Sequence, residues 1–160
     1  MAKSRMFHFP KWSLVEGDIK VDVNLNRFEK QFQDAQWFLD TQIMQSMKPY
    51  MPFNEGNFYN TTKIQSDALA GSGKVVAAAG PFGRYLYMGK VMVDSETGKG
   101  PMNIPGVGLR FREGARLVAT DRPLTYSNPK ATPHWFDTAK DVHGKAWVKE
   151  VKKIAGGGKK

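Results

Sequence analysis

DIKVDVNLNRFEKQFQDAQWFLDTQIMQSMK, residues 18–48, changes hydrophobic period part-way along, and that change points to a fold built from both strands and helices. Over residues 18–25, Ile19, Val21, Val23 and Leu25 alternate with polar neighbours, which predicts a half-buried strand. Residues 26–48 predict a long helix, opening on Asn26 as N-cap. Phe28, Phe32, Ala35, Leu39 and Ile43 follow at spacings of four, three, four and four. Trp37, Phe38, Met44 and Met47 widen this stripe beyond what one neighbour covers, so the helix is expected to meet more than one surface.

Pro49 and Pro52 stop the helix, because proline lacks the amide donor and disfavours helical geometry in the residue before it. Residues 52–58 read as a turn built on Asn54 and Gly56. Residues 61–70 and 75–79 are expected as two strands of a hairpin joined through Gly71, Ser72 and Gly73. After the breakers Gly80, Pro81 and Gly83, residues 84–93 are dense in aromatic and β-branched side chains and predict a strand, with room for a short helical turn before it. Five glycines and two prolines over residues 94–116 leave little regular structure to expect there. Residues 116–120 and 124–127 would close the excursion as strands around Arg122 and Pro123.

Thr132 followed by Pro133 predicts the start of a last helix running to about Ile154, interrupted only by Gly144. Its inward stripe would be Trp135, Phe136, Ala139, Val142, Ala146, Trp147 and Val151. The expected architecture is α+β: a mixed or mostly antiparallel sheet packed by a long N-terminal helix and a C-terminal helix, with a long loop or hairpin excursion. Residues 1–155 are expected to form one domain and residues 156–160 a flexible basic tail.

Bulk chemistry narrows the function. With no cysteine, the chain has no disulfide and no thiol-ligated metal, which suits a reducing cytoplasm. No stretch approaches the roughly 18 consecutive apolar residues of a membrane span, and the N-terminus lacks a signal peptide's apolar run. The net charge of +9 favours polyanionic partners. Residues 140–160 hold seven of the lysines, including Lys149, Lys152, Lys153, Lys159 and Lys160, against Asp141 and Glu150.

Candidate chemical motifs fail one by one. Gly71-Ser72-Gly73-Lys74 resembles the end of a phosphate loop, yet Ala68 and Val75 stand where that motif needs glycine and a hydroxyl residue. Gly106-Val107-Gly108 lacks the third glycine of a dinucleotide loop. His8, His134 and His143 have no metal-ligand spacing, and the last two, nine residues apart, are expected on opposite sides of the last helix. No nucleophile elbow occurs, and Glu55 and Asp67 read as turn and surface groups. No cofactor and no catalytic residue is expected.

The order of segments along the chain carries more. A Pro52-Phe53-Asn54-Glu55-Gly56 turn follows the apolar helix. Arg84, Tyr85, Leu86, Tyr87 and Gly89 come next, then a Leu-Thr-Tyr-Ser step, then Trp135, Phe136, Ala139 and Lys140. This order resembles the minor capsid proteins of tailed phages, a family similar to the wider group of head–tail connector, neck or tail-completion subunits; the likeness spans roughly residues 18–150. In that group the turn more often reads Asp-Thr-Gly, from which Asn54-Glu55-Gly56 departs.

The resemblance implies a structural subunit of the virion, made in the host bacterial cytoplasm. It implies a homo-oligomeric ring, hexamer or dodecamer, bound to other neck, portal-side and tail proteins, with packaged DNA passing through its lumen and no membrane or small-molecule substrate. Pro52, Phe53, Gly56, Arg84, Tyr85, Tyr87, Gly89, Trp135 and Phe136 would be its motif or interface residues, and the lysines of residues 149–160 an electrostatic face toward DNA or an acidic neighbour. Taken singly, the glycines also read as positive-φ positions and the aromatics as core. A sequence-nonspecific DNA-binding protein is the alternative that the charge suggests, although Phe28, Phe32 and Phe38 sit among acids and glutamines and not among basic residues. A small hydrolase lacks any constellation.

Overall fold

Two long helices lie against each other and carry the core. α1 (Asn26–Met47) and α4 (Trp135–Ala155) make the most extensive contact between elements. Met44, Met47 and Met51 are buried with Trp135, Ala139 and Trp147. Burying each methionine contributes roughly 1.5–3 kcal/mol. The indole N–H of Trp147 donates to Ser46 Oγ at 3.1 Å, so even the polar tip of that ring is satisfied between the helices. This computed structural model describes residues 7–52, 57–80 and 82–156.

The helix ends depart slightly from expectation. Asn26 is the first helical residue and not the cap; its N–H donates to Asn24 Oδ1 at 3.0 Å, so Asn24 satisfies that end. At the other end the chain tightens into a 3-10 turn, Lys48–Tyr50, where proline is tolerated. The side chain of Asn128 donates to the carbonyls of Pro49 and Met51 at 3.0 and 2.9 Å. α4 starts two residues later than Thr132-Pro133 predicts, behind His134 in the left-handed region at φ 51.

Not every apolar position of the predicted stripes turns inward. Phe28 and Trp37 of α1 are half exposed, as is Val142 of α4. The line that packs on α4 is Trp135, Ala139, His143 and Trp147, one residue every four. His143 takes the place expected of Val142, its ring 6.4 Å from that of Tyr50 and 6.5 Å from that of Trp147.

The hairpin expected over residues 61–79 is instead a helix followed by an irregular segment. α2 spans Asn57–Asp67. Thr62 and Ser66, four apart and therefore on one face, are fully buried. Their hydroxyls accept the N–H groups of Ala79 at 3.1 Å and Val76 at 3.4 Å. Residues 75–79 thus satisfy backbone groups on side chains instead of on a second strand, and the carbonyl of Ala77 accepts the indole N–H of Trp135 at 2.8 Å. Local β-propensity loses to these tertiary bonds.

The region predicted as one strand over residues 84–93 divides at Gly89. α3 (Gly83–Met88) ends there in a left-handed cap at φ 66, and β3 (Lys90–Asp94) follows. β3 pairs antiparallel with β6 (Leu117–Pro123), with a register shift between Lys90 and Met92. β6 runs unbroken through Arg122 to Pro123, and residues 124–127 are not a strand. The glycine-rich excursion holds its own hairpin, β4 (Met102–Ile104) with β5 (Gly108–Arg110). A third ribbon, unpredicted in its first strand, joins β1 (Trp12–Glu16) to β2 (Ile19–Val23). Ile19 and Val21 of that ribbon are exposed, not half-buried.

The α+β class, the long first helix and the C-terminal helix are as the sequence indicates. The strands form three two-stranded antiparallel ribbons, so every described strand has one unpaired edge.

Gly89 provides the sharpest test of this packing. A Cβ there would lie 2.6 Å from Pro133 Cβ, at a φ that L-residues rarely adopt. Gly98 has a similar φ, +65, but open space around it. Gly98→Ala is expected to cost about 1–2 kcal/mol of local strain at most, and Gly89→Ala about 3 kcal/mol or more because overpacking adds to strain. Urea unfolding of the two variants measures the difference, and equal losses would show that the Pro133 contact yields freely.

Candidate functional site

α3 and the excursion that follows β3 enclose an apolar groove. Its walls come from three hollows that share Phe82, a residue 53% exposed at the start of α3. One, about 710 Å³, lies between α2, α3 and residues 124–127, with Pro52, Phe58 and Leu86 in its wall. The next, about 460 Å³, runs between Tyr85 and Leu86 on one side and Pro101, Phe111 and Leu117 on the other. The last, about 570 Å³, continues past Phe111 to Val107 and Arg112. The middle hollow is the most apolar, while Thr61, Thr125 and Ser127 line the first and Arg110 and Arg112 the last, so the groove's centre suits an apolar side chain or chain segment better than a polar small molecule.

A charged clasp holds the excursion in place. Asp94, at the end of β3, is only 3% exposed. Its carboxylate accepts Arg112 Nε and Nη2, the N–H of Glu96 at 3.1 Å and the hydroxyl of Thr97 at 3.2 Å. Arg112 also pairs with Glu96. The Arg112 bond, followed by the Glu96 N–H, holds the Asp94 carboxyl below the usual carboxylate range. The same carboxylate keeps Arg112 protonated. Asp94-Ser95-Glu96-Thr97-Gly98 is an Asx-type turn signal in the sequence that could have located this clasp.

The loop that resembles a phosphate cradle is occupied by the chain itself. Both N–H groups of Gly71 and Gly73 point at Asp40 Oδ2, at 2.8 and 3.1 Å, and Gln36 holds the other oxygen at 2.7 Å. The concavity of amides that binds anions elsewhere here binds a buried carboxylate of α1. Gln33 adds a bond from its side-chain amide to the Gly71 carbonyl at 2.8 Å.

The motif residues separate into core and surface. Trp135 is fully buried, so it is core and presents no surface to a partner. Tyr87 stands edge-on to it at 4.8 Å and to His134 at 5.0 Å, within α3 and not in a strand. Phe136 packs half-buried on the same core, and Gly89 is the cap that lets α3 turn into β3. Burial pushes the phenols of Tyr87 and Tyr126 up, keeping both neutral; Tyr126 donates to the Leu86 carbonyl at 2.6 Å.

Pro52 and Tyr85 line the groove, and Arg84 is exposed beside it. Lys149, Lys152 and Lys153 are exposed on α4. Phe53 and Gly56, with Asn54 and Glu55, and Lys159 and Lys160, with all of the expected tail but Gly156, lie outside the described residues. His134 and His143 are apart, each against its own aromatic neighbours. Among the described residues no three His, Asp or Glu side chains group as a metal site, and no helix is long and apolar enough to cross a membrane. No protein-family model, curated protein or solved structure matches the chain.

The clasp has a predictable acid response. Because folding lowers the Asp94 pKa, its contribution is fully present above the ordinary aspartate value of about 3.9 and is lost as pH falls through the lower folded value. Limited proteolysis of residues 95–116 is expected to be slow at neutral pH and to accelerate below about pH 4. Asp94→Asn should speed cleavage at neutral pH and remove most of that acid dependence; a variant cut as slowly as the parent would show that the clasp does not anchor the excursion.

Proposed function

We propose that the chain is a structural subunit of a tailed-phage virion, assembling as a hexameric or dodecameric ring at the head–tail junction through which DNA passes, and that it has no catalytic role. The observation that carries this reading is the surplus of apolar and unpaired strand surface. Trp12, Ile19 and Val21 on the first ribbon and Met102, Ile104 and Val107 on the excursion are all exposed. Two-stranded ribbons are marginal by themselves in water, and open edges invite further pairing. A chain with three of them gains by burying them against neighbours. The segment order resembling phage minor capsid and neck proteins supplies the particular assembly.

The alternative, sequence-nonspecific DNA binding, rests on the lysines of α4. Lys140, Lys145, Lys149, Lys152 and Lys153 are exposed, yet Trp135 and Trp147 of the same helix are buried. That face offers phosphates charge without a stacking platform, which suits DNA passing a lumen wall more than a dedicated single-strand binder.

Sedimentation at micromolar concentration, alone and with neck components, is expected to give a closed oligomer. A strict monomer that never enters particles contradicts the proposal. Replacing Lys149, Lys152, Lys153, Lys159 and Lys160 by glutamine should leave the fold intact, since exposed lysines seldom contribute more than about 0.5 kcal/mol each. It should weaken assembly or DNA retention in the way that added salt does. Unchanged particle yield and packaged DNA would assign the lysines to solubility alone.

A further inference from the structure

The first ribbon has a face with no cover. Its register sets Trp12 opposite Val23 and Glu16 opposite Ile19, and cross-strand partners share a face. Trp12, Ile19, Val21 and Val23 therefore lie on one side of the ribbon, with the Glu16 position at the turn end of that side, while Ser13, Val15, Lys20 and Asp22 lie on the other. Trp12 is 58% and Ile19 68% exposed. The ribbon's extensive contacts are confined to its own two strands, so it stands as an amphipathic arm about 17 Å long. The same chain carries an apolar groove along α3 that its own arm does not fill.

Charge is complementary between the two. Residues 12–23 carry three acids against one lysine, and Lys20 is paired with Asp22 at 3.2 Å, leaving Asp18 exposed at the turn. Residues 82–124, which supply most of the groove and its rim, carry seven arginines and lysines against four acids. Two of those acids, Asp94 and Glu96, are already held by Arg112. The groove is thus apolar at its floor and basic at its edge, and the arm is apolar on one face and acidic overall.

We infer that the β1–β2 arm of one copy docks, apolar face down, into the α3 groove of a second copy. Arm and groove are different surfaces, so the contact is heterologous and each copy both gives an arm and receives one. Such a contact propagates head to tail and closes into a ring when the rotation allows it. The inference rests on the proposed assembly and specifies its contact.

The absence of cysteine makes a direct test possible. Ile19→Cys and Phe82→Cys, both at exposed positions, are made as separate variants and mixed under mild oxidation, with Val148→Cys on the outer face of α4 as the control partner. Near-UV circular dichroism checks that each variant is folded. Docking should raise the local thiol concentration so that the Ile19→Cys and Phe82→Cys copies join at least about tenfold faster than Ile19→Cys joins the control. The double variant should yield a ladder of linked copies. Oligomers that form without preferential joining would overturn the arm-in-groove contact and leave the assembly reading standing. A bond formed within single copies would also overturn it, by placing the arm on its own groove. Monomers at every concentration, with no preferential joining, would overturn both.

Discussion

The indole of Trp135 is where the helical pieces of this chain meet. It is fully buried at the start of α4, in one cluster with Met44 and Met47 of α1. Its ring lies edge-on to Phe58 of α2 at 5.8 Å and to Tyr87 of α3 at 4.8 Å. Its N–H holds the Ala77 carbonyl of an irregular segment that no strand pairs. A tryptophan can serve so many neighbours because it combines a large apolar surface with one directed donor. Removing it would leave a cavity among four helices and take the partner from a partly buried carbonyl.

Away from this cluster the chain becomes progressively less self-sufficient. Close to it, buried polar groups find local partners: Asp40 on the glycine amides, Thr62 and Ser66 on the irregular segment. Farther out, the β3–β6 ribbon is tied to its excursion by the Asp94 and Arg112 clasp, and the first ribbon contacts chiefly itself. Exposed apolar side chains are divided between these outer parts, as at Trp12, Ile19 and Met102, and the outer faces of the helices, as at Ile64 and Val142. A firm helical centre with uncovered ribbons is what the proposed assembly through ribbons requires.

Helices were the more legible part of the sequence because their apolar spacing extends over many residues. Asn26–Met47 and Trp135–Ala155 follow directly from that spacing and from the prolines beside them. Residues 57–67 did not, since Thr61, Thr62 and Ile64 favour a strand locally, whereas the bonds that favour the helix run from Thr62 to residue 79 and from Ser66 to residue 76. Residues 84–93 divide at Gly89, whose left-handed cap is a local glycine signal, but the Pro133 contact that bars a side chain there comes from more than forty positions away. Of the candidate site, the aromatic and basic residues were visible by type. The groove was not, because its walls come from segments distant in sequence; of the clasp, the turn at Asp94 is written locally, whereas its partner Arg112 lies eighteen residues on.

Under the proposed assembly, stability resides in the α1–α4 core and the ribbons gain their cover from neighbouring copies. Native-state hydrogen exchange of the free subunit, compared with the assembled form, measures this most directly. The slowest amides are expected in α1 and α4, with β1 and β2 exchanging quickly in the free chain and slowing on assembly. Ribbon amides as protected as those of α1 in the dilute free chain, and unchanged on assembly, would contradict it.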